Sequence, residues 1–127
     1  MKSIIVLLGG IFILLGILLG AFGTHALKNQ LSYQELESLQ TGLQYQIYHG
    51  LALIFLGFNA EKFKKAGLIS WGMITGTVLF SGSIYLLSLD NLIGLSFGFL
   101  WPITPIGGSL LILSWFLFVI QMVKVKN

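Results

Sequence analysis

Two histidines and a set of hydroxyl and amide side chains are the residues in this chain whose types could do chemistry. At about 100° per residue, Gly42, Tyr45, Gln46 and His49 share one helical face, with Gln44 nearly opposite. Thr77, Ser81, Tyr85 and Ser88 share a face of a later helix, while Thr24, His25 and Thr104 stand at the ends of two others. All of them lie in or beside apolar runs, where a polar group is costly unless it pairs or meets water. The cluster of His25, Tyr45, Gln46, His49, Ser81 and Tyr85 has two readings. In the preferred one they form an interhelical hydrogen-bond network. In the other they line a small cavity around His49 that takes a polar solute or passes protons. His25 or His49 could also serve as the base of an enzyme acting on a lipid or quinone. Two histidines with no acidic or thiolate ligand nearby make a poor metal or haem site. No acid lies inside an apolar run to orient a histidine beside a serine, which argues against a hydrolase. No catalytic residue, metal or cofactor is therefore assigned.

The elements that would position these residues are read from composition. Of the 127 residues 56% are hydrophobic and 9% charged, against about 25% charged in ordinary soluble domains. So few charges cannot clothe a water-facing surface, and much of the outside must face lipid. The net charge is +3. Its basic residues are all lysines beside apolar runs rather than along a stripe, which indicates membrane topology and no nucleic-acid partner. Cysteine is absent, which removes disulfides and thiolate chemistry.

The expected fold is an all-α membrane protein: one domain, residues 1–127, with four transmembrane helices in an up-down bundle. The spans fall at about 4–23, 42–59, 68–89 and 104–123. The first run exceeds the roughly 7–15 apolar residues of a cleavable signal and is read as a retained span. Ser32 and Glu35 have capping-box spacing, followed by Leu36, Leu39 and Leu43 at helical spacing. A short amphipathic helix at the membrane surface, leading into the second span, is predicted there. Lys2, Lys62, Lys64, Lys65, Lys124 and Lys126 fall on one side of this topology and Lys28 alone on the other. The positive-inside rule then places both termini in the cytoplasm and the protein in the inner or plasma membrane.

Lipid tails are as apolar as leucine, so these helices need close backbone approach to associate. The chain has 16 glycines, with Gly9, Gly16 and Gly23 seven apart and with Gly16–Gly20 and Gly72–Gly76 as small-xxx-small pairs. They predict tight helix packing, within one chain, in a homo-oligomer, or against another membrane protein.

The segments Gly20 to Lys28, Tyr45 to His49, Phe80 to Leu87 and Ile103 to Gly108 resemble the small bacterial membrane proteins grouped as domain-of-unknown-function family 423. The eukaryotic transmembrane-protein-256-like proteins are similar. The resemblance spans nearly the whole chain, with Thr24 where alanine is common. It implies a multi-pass membrane protein and supplies no mechanism. Proton-coupled exporters of similar size depend on a membrane-embedded carboxylate, and the four acids here sit in loops or at helix ends. The expected function is structural, accessory or assembly-related, with a His49-centred channel or transporter and a lipid- or quinone-interacting protein as alternatives.

Overall fold

The computed structural model describes residues 2–126 and the side chains of residues 3–124. Lys2 and Lys126, two of the lysines that set the expected orientation, have side chains outside the described residues. The first helix comprises α1 (Lys2–Leu18), a π-helical turn (Leu19–Gly23) and α2 (Thr24–Leu27). It is followed by α3 (Tyr33–Phe58), α4 (Ala66–Ile93) and α5 (Ile103–Lys126), with single 3₁₀ turns at Ala60–Lys62 and Gly98–Leu100. Among the described residues there is no strand.

Local chemistry sets the boundaries. Ser32 caps α3: its hydroxyl accepts from the Glu35 amide at 3.1 Å, and the Glu35 carboxylate accepts from the Ser32 amide at 3.2 Å. Nothing interrupts the helix after that cap, so the amphipathic segment is not a separate helix; it forms the first turns of α3. The far end of α4 stops at Gly94, whose φ of 80° is open to glycine at little cost. Pro105 falls in the first turn of α5, where its missing amide breaks no helical bond.

Three stretches are long and apolar enough to cross a membrane: Ser3–Leu27, Ala66–Ile93 and Gly98–Lys124. Four were expected. The remaining helix, α3, has 26 residues and so the length. Its glutamines, Glu35, Glu37 and His49 dilute its apolar content. Consecutive long helices run antiparallel, with α1 on α3, α3 on α4 and α4 on α5.

Glycines set the closeness of this packing. A Cβ on Gly9 would stand 2.6 Å from the Gly50 carbonyl oxygen, and one on Gly50 would stand 2.9 Å from that of Gly9. Gly16 meets Ile47, Gly42 meets Tyr85, and Gly72 meets Ser114. A Cβ on Gly76 would lie 3.0 Å from the Gly107 carbonyl, and one on Gly107 would strike the backbone nitrogen of Phe80. Gly20 has only a loose contact with Leu43, and Gly23 meets only its own neighbour Leu19. The π turn explains the last two. It inserts one residue, which rotates the downstream chain by about 100° and takes the seven-residue glycine row off the α3 face. The apolar core, including Ile5, Leu53, Leu56, Phe63, Ile69 and Met73, sits toward the end that carries the 59–65 loop.

Backbone cannot yield as a side chain can. Gly107→Ala is expected to cost about 1–3 kcal/mol, whereas Gly10→Ala, facing open space, is neutral or gains a few tenths. Thermal unfolding in detergent compares the two; equal effects would mean that α4 and α5 are not in backbone contact.

Candidate functional site

Above the apolar core the interior turns polar. His49 lies past the midpoint of α3 and is buried. Its Nδ1 stands 2.7 Å from the Tyr45 carbonyl oxygen, and Trp115 Nε1 on α5 donates to its Nε2 at 2.9 Å. Indole N–H only donates, so Nε2 must hold the lone pair and Nδ1 must carry the hydrogen. One tautomer, uncharged, satisfies both contacts. The rings meet edge to face with centroids 5.9 Å apart, a favoured aromatic geometry.

Gln46, one turn before His49 on the buried face, binds two helices. Its Nε2 donates to the Phe12 carbonyl at 2.7 Å, and its Oε1 accepts from the Tyr85 hydroxyl at 2.5 Å. Those partners fix which end of the amide is oxygen. Ser81 donates to the Gly42 carbonyl at 2.8 Å, an approach possible because Gly42 has no side chain. Nearer the end that carries the 94–102 loop, Ser83 and Thr104 hydroxyls lie 2.6 Å apart and join α4 to α5. All four long helices are thus cross-linked by polar bonds.

Of the six residues singled out from sequence, the structure brings Gln46, His49, Ser81 and Tyr85 into this network. Tyr45 contributes its carbonyl oxygen, while its half-exposed ring packs against Phe80 at 4.7 Å between centroids. His25 is exposed on α2, beyond the π turn, and takes no part in these hydrogen bonds. Sequence reasoning missed Trp115, the Phe12 carbonyl and Ser83. A tryptophan in the middle of an apolar helix, away from the interfacial belts where it is enriched, was the one available signal.

Chemically the arrangement is closed. A general base needs a free lone pair facing its substrate, and the lone pair of His49 faces Trp115. A relay would need to pass a proton through an indole, and a metal would compete with the same donor. Among the described residues no group of three His, Cys, Asp or Glu stands together. Thr77 is the exception to the pairing: its buried hydroxyl has no partner among the described residues.

Comparison with known proteins places the chain in a family. Residues 19–108 match the family model described as "Protein of unknown function (DUF423)". The chain belongs to this family. It is similar to the UPF0382 membrane protein YwdK of Bacillus subtilis, 40% identical over 125 residues, which cover 96% of this chain and 98% of the relative. It is also similar to the UPF0382 inner membrane protein YgdD of Escherichia coli, 35% identical over 113 residues, covering 86% and 81%. No solved structure matches. As a DUF423 member it is an integral membrane protein, and its apolar surface sits in the lipid bilayer.

Three substitutions probe the network. The coupling between His49→Phe and Trp115→Phe in a double-mutant cycle should be about 0.6–1.7 kcal/mol; additive effects would mean that the ring contact is not formed. Thr77→Val swaps an unpaired hydroxyl for a methyl of the same shape and should raise stability by about 1 kcal/mol. A loss on resistance to SDS unfolding would show that the hydroxyl is bonded.

Proposed function

We propose that this DUF423 protein crosses the cell membrane four times, with both termini in the cytoplasm, and acts as a structural or accessory protein rather than a transporter or an enzyme. One observation carries the functional part: both ring nitrogens of His49 are occupied, one by a backbone carbonyl and one by Trp115. The residue best suited to move protons or bases is thereby used as a clamp between α3 and α5.

Support for four spans comes from α3. It matches the other helices in length and places Gln46, His49, Leu53 and Leu56 against them. Membrane-embedded polar groups face a bundle interior in this way. Alternating directions then put the termini on one side, with Lys62, Lys64 and Lys65, opposite Lys28. The face of α3 left uncovered carries exposed Gln44 and Tyr48. It offers a second copy or another membrane protein a place to bond, which suits an accessory role.

The chain has no cysteine, so single cysteines report topology without background. In intact cells Asn29→Cys and Ser96→Cys should react with a membrane-impermeant maleimide and Lys64→Cys should not; the reverse pattern would overturn the orientation. Proteoliposomes should show no more proton flux than empty vesicles between about pH 5.5 and 7.5, where histidine titrates. A flux abolished by His49→Ala would replace the structural reading with a channel.

A further inference from the structure

The helix pairs of this bundle are closed by two different means. Gly9 and Gly50 bring α1 onto α3, Gly42 brings α3 onto α4, and Gly72, Gly76 and Gly107 bring α4 onto α5. Between α3 and α5 the gap is bridged by aromatic rings instead: His49 with Trp115, and Phe55 with Phe118. Side chains that hold two helices apart leave space beside themselves, and three cavities follow this seam.

The outermost, about 630 Å³, lies between the outer ends of α3, α4 and α5, with Glu35, Ser38, Ser88, Trp101 and Thr104 in its wall. The next, about 430 Å³, is bordered by Tyr45, His49, Phe80, Gly108 and Ile112. The deepest, about 280 Å³, is bordered by Leu51, Phe55, Met73 and Phe118, and shares Trp115 with the one above. On α5 the wall passes from Thr104 through Gly108 and Ile112 to Phe118, and on α3 from Glu35 to Phe55. Along α3 that descent is about 30 Å, close to the thickness of a bilayer's hydrocarbon core.

Polarity is graded along it. Ser88, 4% exposed, borders the outer cavity, and its hydroxyl has no hydrogen-bond partner among the described residues. Thr77 alone has a buried hydroxyl without a bond among the described residues; the Ser88 oxygen is instead accessible from the cavity, where a bound group can reach it. Glu35 uses one carboxylate oxygen on the Ser32 amide, leaving the other to accept. No lysine borders this cavity, so an anionic head would meet the Glu35 charge uncompensated. Below, the one histidine at the wall has both nitrogens occupied, and aromatic and aliphatic surface suits an alkyl chain.

We propose that the α3–α5 seam binds a membrane amphiphile, its hydroxyl- or ammonium-bearing head without net negative charge at Ser88 and Glu35 and its acyl chain running past Phe80 and Trp115. The site stands on the four-span reading above, since it needs α3 within the bilayer. The head's donor groups give Ser88 the bond it lacks and fill the second oxygen of Glu35. The chain covers the aromatic bridge from the lipid side.

Trp101 and Trp115 both border the seam, and Trp71 lies elsewhere on α4, so Trp71→Phe gives a protein whose fluorescence reports it. This protein in phosphatidylglycerol vesicles would be doped with one of three lipids brominated on the acyl chain: a glucosyl diacylglycerol, phosphatidylethanolamine or phosphatidylglycerol itself. Quenching should saturate at low mole fraction for the first two and rise only in proportion for the third. A Cβ at Gly108 meets Phe80 at an ordinary 3.5 Å, so Gly108→Leu fills the seam without striking backbone. It should raise the half-saturation point about tenfold or more, and Ser88→Ala, which removes one hydroxyl and adds no bulk, should raise it several-fold. Glu35→Gln weakening only phosphatidylethanolamine would assign an ammonium head, and weakening neither lipid a hydroxyl head. Quenching proportional to mole fraction for all three lipids, or saturation unchanged in both Gly108→Leu and Ser88→Ala, overturns the proposal. Should cysteine labelling still give four spans in that case, the topology stands without the lipid site.

Discussion

Hydrocarbon offers a polar side chain nothing to bond to, and α3 carries Gln44, Tyr45, Gln46, Tyr48 and His49 between positions 44 and 49. On the proposed four-span topology, much of the structure is a response to that. The helix stands against α1 and α4, with α5 reached through ring contacts, so Gln46 and His49 point inward while Gln44 and Tyr48 stay exposed. Bringing neighbours close enough for a 2.5–2.8 Å bond from Gln46 or Ser81 requires backbones that nearly touch. The glycines at 9, 16, 42 and 50 allow it. Polar bonds of this kind contribute about 0.6–1.7 kcal/mol each, too little to assemble the bundle unaided. Their larger effect is on register: a shifted helix would strand an amide or an imidazole at depth, and that penalty exceeds the gain from any single bond.

The same constraint explains why the interior is chemically quiet. His49 is held as one uncharged tautomer, Gln46 is used at both ends, and Ser81 bonds a carbonyl that glycine lays bare. What remains open lies at the margins of the network, in the aromatic seam between α3 and α5 and on the uncovered face of α3. A binding role for this family is therefore sought on its lipid-facing surface rather than along an axial path.

Local features are legible in the sequence, and long-range ones only by type. The Ser32–Glu35 cap and the polar face of Gln46 and His49 follow from spacing alone. Pairing across the bundle does not: Trp115 lies 66 positions from His49, and neither periodicity nor hydropathy links them. His25 groups with His49 in sequence because the expected topology puts both on the same side of the membrane. The π turn at Leu19–Gly23 rotates the chain before His25 is reached, and such a turn has no clear sequence signature. Polar first turns make α3 read as two pieces, though no helix breaker separates them from the rest.

The division between glycine contacts and polar bonds also bears on the order in which the chain assembles. α1 with α3, and α4 with α5, are sequential hairpins whose backbone-to-backbone glycine contacts, Gly9 with Gly50 and Gly76 with Gly107, are internal to each. Gln46 to Tyr85, Ser81 to Gly42 and Trp115 to His49 all join one hairpin to the other. On the proposed four-span topology the first hairpin can close during synthesis as soon as Phe58 has entered the bilayer, with the Phe12 carbonyl already holding one end of the Gln46 amide. The other end, and the lone pair of His49, wait for the second hairpin. Its arrival is a docking event between two preformed halves, and the polar groups of α3 act as its checkpoint.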